Sequence, residues 1–203
     1  MLGKSSDLTI YDPCCGSGYL LTIAGFLFPN NFSKIIGSDI DEAALELASL
    51  NLSLLSSDGL RTRKEAIEDM YERFQKSSHR DALESVEKFE NSISHRKKCP
   101  EINLFKSDIT KEIGPSNINF KADIIFVDVP YGEIIDWKSE SESLLNISLL
   151  LESVKRVVDE NSILIVSSRK KEIINSNSFK RIKKFNIGKR KIEFLMLKGE
   201  KDG

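Results

Sequence analysis

Short apolar runs alternate with longer segments of helical periodicity along most of this 203-residue chain. Runs typical of strands lie near residues 8–12, 35–38, 102–106, 123–127 and 162–167. Apolar positions at helical spacing predict helices over about 18–28, 41–55 and 141–158. Because strands and helices alternate, the pattern predicts a parallel sheet with crossover connections.

The alternation is interrupted once, over residues 57–100. Two apolar stripes, around Ile67 and around Val86, each recur at helical spacing and are separated by the polar stretch 75–80. This arrangement predicts a helical hairpin inserted between the second and third strands and packed on the side of the domain.

The C-terminal end of the chain has a different pattern. Residues 180–186 and 190–197 flank Ile187-Gly188-Lys189, which predicts an antiparallel hairpin, and residues 170–176 are predicted to form a short helix. The expected fold class is therefore α/β. We expect a Rossmann-like, mostly parallel sheet with an antiparallel C-terminal hairpin and the helical insertion 57–100, all within one domain over residues 1–203.

Composition limits the cellular setting more than the function. Three cysteines, two of them adjacent, do not form a disulfide framework and favour a reducing compartment. No apolar run is long enough to cross a membrane, so we expect a cytoplasmic protein. The net charge of −1 is uneven, since residues 151–203 hold 14 lysines and arginines against 7 acidic residues. A basic C-terminal part indicates either a surface that meets an anion or only a solvated face.

The first strand leads into Asp12-Pro13-Cys14-Cys15-Gly16-Ser17-Gly18, and a helix follows. The two glycines allow a ligand to approach the backbone, and the helix N-terminus favours an anionic group. A dinucleotide fingerprint would need glycine or alanine at Leu21, and the lysine of a P-loop is missing. An acidic residue at the start of such a turn suits a cofactor that carries an ammonium and a carboxylate, as S-adenosylmethionine does.

Four predicted strands end in, or just before, an acidic residue: Asp12, Asp39, Asp108 and Asp128. In open α/β sheets ligands bind beyond the carboxyl ends of the strands. From these positions we expect Asp12 to face an ammonium, Asp39 to accept hydrogen bonds from ribose hydroxyls, and Asp108 to accept from an adenine amino group. Ile109 would supply apolar contact to the adenine ring.

Three segments give the chain a resemblance to a known family: Asp12–Leu21, Gly37–Asp41 and Asp128-Val129-Pro130-Tyr131-Gly132. They resemble motifs of class I methyltransferases that modify a nitrogen of a nucleobase. The double cysteine, the segments Leu45–Ala48 and Asn51-Leu52, the insertion and Glu133 narrow this to the avilamycin-resistance 23S rRNA guanine methyltransferases. The resemblance covers roughly residues 8–198.

The resemblance implies a set of site residues, with no metal ligand among them. Those expected to bind S-adenosylmethionine, and the product S-adenosylhomocysteine, are Asp12, Cys14, Gly16, Ser17, Gly18, Tyr19, Leu20, Asp39, Ile40, Asp108, Ile109 and Asp128. The residues expected at the reacting base are Asp128, Pro130 and Tyr131. Asp128 would orient the base edge or accept its proton, and Tyr131 would stack on the base.

Two departures from the family pattern refine these expectations. Val129 stands where the wider group of amino methyltransferases has a proline, which argues against methylation of an exocyclic amine. The resemblance implies methylation of guanine N1, a ring nitrogen, instead. Family members also carry helical residues ahead of the first strand, whereas here that strand is expected from residue 8. Two explanations stay open: the chain is trimmed, or it lacks part of the RNA-facing or cofactor-covering surface.

The expected partner is 23S rRNA or the large ribosomal subunit, bound by a monomer. Basic residues predicted to contact RNA are Arg169, Lys170, Lys171, Lys189 and Arg190, with Lys191 beside them. Arg169 to Lys171 directly follow the fifth strand, so they should lie at the same edge as Asp128. Three alternatives stay open: methylation of an exocyclic amino group in other RNA or DNA, a non-catalytic relative that only binds RNA, and a small-molecule methyltransferase.

Overall fold

In a computed structural model of the chain, residues 5–109, 119–128 and 140–199 are described. Seven strands form one sheet in the order β3-β2-β1-β4-β5-β7-β6. The strands are β1 (Leu8–Asp12), β2 (Phe32–Asp39), β3 (Glu101–Lys106), β4 (Ile124–Asp128), β5 (Ile163–Arg169), β6 (Phe179–Ile187) and β7 (Arg190–Leu197). Pairing is parallel from β3 to β5, whereas β7 runs antiparallel to both β5 and β6.

In the described part of the chain, five α-helices connect the strands: α1 (Tyr19–Leu27), α2 (Glu42–Ser53), α3 (Ser57–Phe74), α4 (Ser77–Ser94) and α5 (Glu140–Val154). Side-chain caps explain two of the starts. An Asp41 carboxylate oxygen accepts from Ala43 N at 2.9 Å, and Ser56 Oγ accepts from Gly59 N at 3.0 Å. Each cap satisfies an amide that has no partner within its own helix.

Apolar side chains cover the sheet in two clusters. On one face, Ile125, Val127 and Val166 pack in the same cluster as Leu150 and Val154 of α5. The second cluster joins Ile10 and Ile35 of the sheet to α1, α2 and the inserted helices. Burial of both faces explains the nearly continuous apolar runs of the central strands.

The insertion is attached at its base to α1 and α2. Phe89 of α4 stacks on Phe26 of α1 with ring centroids 4.3 Å apart. Arg96 donates to the carbonyl oxygen of Leu55 and, at 2.8 Å, to that of Gly25. Partial burial lowers the pKa of Arg96. These contacts join helices α3 and α4 to the end of the domain opposite the carboxyl edge of the parallel strands.

The predicted fold class is confirmed, with local corrections. The second strand starts at Phe32 instead of residue 35, and the predicted helix over 170–176 is wrong. There the backbone turns at Arg169, whose N–H donates to Glu172 Oε2 at 3.0 Å, and continues without helical structure to β6. No helix among the described residues is long and apolar enough to span a membrane.

Candidate active site

Three of the four predicted carboxylates stand at the ends of adjacent strands. Asp39, Asp12 and Asp128 are the last residues of β2, β1 and β4, which are neighbours in the sheet. Asp108 follows two residues after the end of β3, and Ser107 N donates to Asp39 O at 2.9 Å. The predicted row of acids at one edge is therefore present. Within the described ranges, no group of three or more His, Cys, Asp or Glu side chains is arranged to hold a metal ion.

The turn between β1 and α1 is tied to the end of β2. Asp12 Oδ1 accepts from Cys14 N at 3.0 Å, and Cys15 N donates to Ser38 O at 2.9 Å. Gly16 N donates to Asp39 Oδ2 at 2.8 Å. The acid expected to meet a ribose thus also fixes the turn expected to meet the rest of the cofactor.

Three residues outside the predicted set support this turn. Tyr11 and Ser38 are fully buried, with the tyrosine hydroxyl 2.8 Å from Ser38 Oγ, which donates to Pro13 O at 3.3 Å. Asn51 of α2 donates to Ser17 O at 2.9 Å. For Tyr11 and Ser38 the signal in the sequence was a polar atom within otherwise apolar strand positions, since buried polar groups need partners. Asn51 lies in α2 and was singled out only through the family resemblance.

Glycine is required at the two positions of the turn for different structural reasons. Gly16 and Gly18 both have positive φ, 52° and 69°, where a side chain is strained. A Cβ at Gly16 would meet nothing within 4 Å, so the backbone there is open to approach. A Cβ at Gly18 would lie 3.0 Å from the Ala48 Cβ of α2. The predicted close ligand approach therefore fits Gly16, whereas Gly18 also serves the packing of α1 on α2.

Burial dominates the electrostatics beneath the turn. Asp12 is 3% exposed, and its burial, with Asp39 nearby, raises its pKa to about 7. Burial and the neighbouring Asp12 also raise the pKa of Cys14 beyond its ordinary range and that of Cys15 to about 12. Both thiols therefore stay protonated at neutral pH and are poor nucleophiles.

The other residues predicted to bind the cofactor differ in how exposed their side chains are. Tyr19 and Ile40 stand at the edge with 71% and 60% of their surface exposed, and Ser17 and Leu20 are half-buried. Ile109 is different, because it is 7% exposed and packs in the core cluster beneath α5. Contact of Ile109 with an adenine ring stays a prediction, and Ile40 is an apolar side chain that the described part of the edge exposes.

At the end of β4, the half-exposed Asp128 carboxylate forms an ion pair with Arg190 at the start of β7. Burial lowers the pKa of Arg190. Arg190 had been predicted as an RNA ligand, and 62 residues separate it in sequence from the acid that it contacts. Pro130 and Tyr131, the other residues expected at the reacting base, lie outside the described residues.

The remaining basic residues lie where β5 ends. Arg169, Lys170, Lys171 and Lys189 are exposed, and Lys170 N donates to Lys189 O at 3.4 Å, which joins the turn after β5 to the β6–β7 turn. Ser167 is paired with Asp128 two residues before Arg169, so the predicted common edge is confirmed.

Lys191 is a correction, because it is buried. Only 3% of its side chain is exposed, its ammonium lies 2.6 Å from Glu193 Oε1, and it also donates to Glu172 O. Burial alone would raise the pKa of Glu193, but hydrogen bonds from Lys191 and Arg181 lower it. Lys191 therefore anchors β7 to the segment after β5 and is not available to an outside phosphate.

Comparison with known proteins agrees with this geometry. The family model described as rRNA methyltransferase AviRa matches residues 1–190. A curated 23S rRNA (guanine(2535)-N(1))-methyltransferase from Streptomyces viridochromogenes is 30% identical over 174 residues, covering 85% of this chain and 69% of that protein.

Solved structures give the same result. The rRNA methyltransferase AviRa from S. viridochromogenes superposes with a TM-score of 0.82 at 28% identity, over 96% of this chain and 78% of that one. A ribosomal protein L11 methylase from Lactobacillus delbrueckii subsp. bulgaricus matches at TM-score 0.52 and 16% identity, over 97% of this chain and 73% of that chain, and shows the fold alone. The sheet and its helices therefore have the class I methyltransferase fold, and the chain belongs to the AviRa family of rRNA methyltransferases.

Proposed function

We propose that this protein transfers a methyl group from S-adenosylmethionine to N1 of a guanine in 23S rRNA, acting as a monomer on the rRNA or on the large subunit. The observation that carries the proposal is the glycine turn bound to Asp39 at the carboxyl edge, in a chain of the AviRa family. The named guanine N1 specificity of the S. viridochromogenes relative supports the choice of atom.

The residues at the edge fit the nucleoside part of this cofactor. Asp39 accepts one backbone N–H on each oxygen, from Gly16 at 2.8 Å and from Asp41 at 3.1 Å. Each carboxylate oxygen has a further lone pair, so both can also accept a ribose hydroxyl. Ile40 exposes an apolar surface beside them for the adenine ring, and Asp108 lies at the end of the next strand.

Asp12 fits the amino-acid part of the cofactor. A buried carboxyl with a pKa raised to about 7 gains most from a nearby cation, because an opposite charge favours its ionised form. The amides of Ser17, Tyr19 and Leu20 would face the cofactor's carboxylate, whereas that of Gly18 donates to Cys15 O at 2.8 Å. Cys14 would line the site as a neutral thiol, whereas Cys15 packs in the core cluster with Leu21 and Ile35.

S-adenosylmethionine supplies a methyl group that is already strongly electrophilic. The chain's main task is therefore alignment of the guanine with that methyl group, and orientation alone lowers a barrier by roughly 7–11 kcal/mol. Asp128 would orient the base edge or accept the N1 proton, and Arg190 would hold its carboxylate in place. Pro130 and Tyr131 would shape the space for the base, with Tyr131 stacking on it.

The same edge presents cationic side chains to the RNA. Arg169, Lys170, Lys171 and Lys189 are exposed around the end of β5, next to Asp128 in the sheet. We infer that they bind phosphates beside the target guanine, which predicts an affinity that falls steeply with salt.

The deciding experiment is to incubate the protein with unmodified 23S rRNA and S-adenosylmethionine, map the added methyl by nucleoside mass spectrometry, and run primer extension. A methyl on N1 blocks the base-pairing edge, so reverse transcription should stop there. A variant with Asp39→Ala is the control for cofactor dependence.

Other results would redirect the proposal. A methylated nucleoside whose methyl group is on an exocyclic amine would favour that alternative and remove the N1 assignment. RNA binding without heat from S-adenosylmethionine in calorimetry would identify a non-catalytic relative. Reaction only with assembled subunits would identify the particle, instead of free rRNA, as the substrate.

A further inference from the structure

The chain has a second basic surface that lies beyond the residues assigned to the target base. Residues 179–190, which cover β6, the turn and the first residue of β7, contain six lysines and arginines and no acidic residue. β6 is the last strand of the sheet, and from Lys180 to Lys184 every side chain is exposed. Such a charge excess at a sheet edge either protects the edge from pairing with other chains or binds an anion.

Strand pairing divides these side chains between the two faces. Lys184 is paired with Glu193, which is buried on the α5 side, whereas Lys183 is paired with Phe194 on the other side. Lys180, paired with Met196, lies on the same face as Lys183, because paired residues share a face. The ammonium of Lys183 lies 5.9 Å from the ring centroid of Phe185, which holds it on that face.

The face that carries Lys183 is also the face of the candidate active site. Val127 points to the α5 side, so the next residue, Asp128, points to the opposite side, where it meets Arg190. Arg190, Lys183 and Lys180 therefore form one strip, which begins at Asp128 and runs along β6. At about 3.3 Å per residue, the seven steps from Ile187, the partner of Arg190, to Lys180 span roughly 23 Å.

We propose that the lysines of this β6 strip, Lys180 and Lys183, bind the ribose-phosphate backbone of the rRNA strand that leaves the active site, while Arg190 at its origin positions Asp128. The inference rests on the proposed function and adds to it the path of the RNA. A strip of cations on one face fits the repeated charges of a phosphate backbone. Lys184, on the other face, would make no such contact.

The neighbouring lysines provide a matched test. Lys183→Gln and Lys184→Gln remove the same charge from adjacent exposed positions on opposite faces. Binding of 23S rRNA is measured against salt by filter binding, with S-adenosylmethionine affinity and thermal unfolding measured alongside. We expect Lys183→Gln to reduce the slope of log affinity against log salt by about 0.7–0.9, and the double variant with Lys180→Gln by about twice that. Lys184→Gln should leave the slope unchanged.

A charge reversal separates RNA binding from edge protection. Lys183→Glu keeps the edge charged, so an edge that only needs a charge would tolerate it, whereas RNA binding should fall further than with Lys183→Gln. Equal slopes for Lys183→Gln, Lys184→Gln and the unaltered protein would overturn the strip, and so would equal losses at both lysines. In either case, methylation by the unaltered protein would leave the proposed function intact. Failure of the unaltered protein to methylate 23S rRNA would instead remove the proposed function, and the strip with it.

Discussion

At the scale of single residues, Asp12 shows how burial changes the meaning of a motif. In the sequence it is the acid that opens a glycine turn, and in the structure it is almost fully buried while it accepts the amide of Cys14. Its carboxyl therefore shapes the turn, and its ionised form is energetically costly without a cationic partner. A ligand that brings a cation next to Asp12 is favoured because it removes that cost.

The raised pKa of Asp12 predicts a pH-dependent cofactor affinity. Below about pH 7 the carboxyl is protonated and offers no charge to an ammonium, so the dissociation constant for S-adenosylmethionine should rise about tenfold for each pH unit below 7. Titration calorimetry from pH 5 to 7 measures this. Adenosine, which lacks the ammonium, should bind with little pH dependence, and Asp12→Asn should abolish the dependence. A flat profile for the unaltered protein would contradict the assignment.

The same shift has the opposite effect on the ligand-free fold. The pKa of Asp12 rises from 3.8 to about 7 on folding, so between these values the folded chain holds the proton that the unfolded chain has lost. The contribution of this group to stability is therefore present at low pH and is lost as the pH rises through 7. Cofactor binding and ligand-free stability thus respond to this one proton in opposite directions.

Replacing Gly18 should lower the stability of the fold, and replacing Gly188 provides a matched comparison. Gly18→Ala places a side chain at positive φ, which costs about 1–2 kcal/mol, and against Ala48, where overpacking costs about 1–3 kcal/mol more. Gly188→Ala has a similar φ of 53° and open space, so it should show only the first cost. Urea unfolding compares the two variants. Equal losses would mean that the Ala48 contact relaxes without cost.

At the scale of elements, the link between β4 and β7 joins the candidate active site to the C-terminal hairpin. The hairpin is antiparallel, so β7 begins at the edge where β4 and β5 end, and Arg190 reaches Asp128. Strand direction, as well as the pairing of β7 with β5, places a basic residue beside the acid proposed to act on the base.

Substitutions at Arg190 and Lys189 should therefore have different kinetic effects. Arg190→Gln releases the Asp128 carboxylate, and we expect kcat for rRNA methylation to fall on the order of 10- to 100-fold, since small misplacement at a reacting centre is costly. Lys189→Gln should raise mainly KM for rRNA. Steady-state kinetics separates the two, and Arg190→Lys should restore part of kcat. If Arg190→Gln changed only KM, Arg190 would be a phosphate ligand instead of a positioning residue.

The sequence predicted these elements well where local pattern decides them. Local periodicity alone identifies the element type in three places: the buried runs of β4 and β5, the helical stripes of the insertion, and the turn at Gly188. The fold class followed from the order of the elements. Contacts that depend on strand register cannot be predicted from local periodicity. The ion pair from Arg190 to Asp128 and the burial of Lys191 depend on which strands become neighbours. The 170–176 error arose because Glu172 binds the backbone of Arg169 and turns the chain.

At the scale of the whole molecule, the charge asymmetry of the sequence becomes a division of the sheet's carboxyl edge. Carboxylates end β2, β1 and β4, and cationic side chains surround the end of β5 and the hairpin. Asp128 and Arg190 meet at the boundary between the two parts. The arrangement separates the proposed cofactor region from the proposed RNA region along one edge.

Cofactor binding should stabilise the whole domain. At a concentration 100 times its dissociation constant, a ligand that binds only the folded state adds about 2.7 kcal/mol. For a domain of this size we expect Tm to rise by roughly 5–10 °C with S-adenosylmethionine or S-adenosylhomocysteine. Differential scanning fluorimetry measures the shift, and Asp39→Ala should reduce it strongly. An unchanged Tm at millimolar cofactor would contradict the assigned site.

The buried pair of Lys191 and Glu193 has a consequence for how deeply a substrate can enter. Lys191 also donates to Glu172 O, which fastens the start of β7 to the chain after β5, and breaking its pair with Glu193 would leave an unpaired charge in the interior. We therefore expect the start of β7 to resist an outward movement that would admit a bulkier target. The distance between the proposed RNA-binding residues and Asp128 is therefore set by the fold. The target nucleotide itself would have to bend to bring its base to the site.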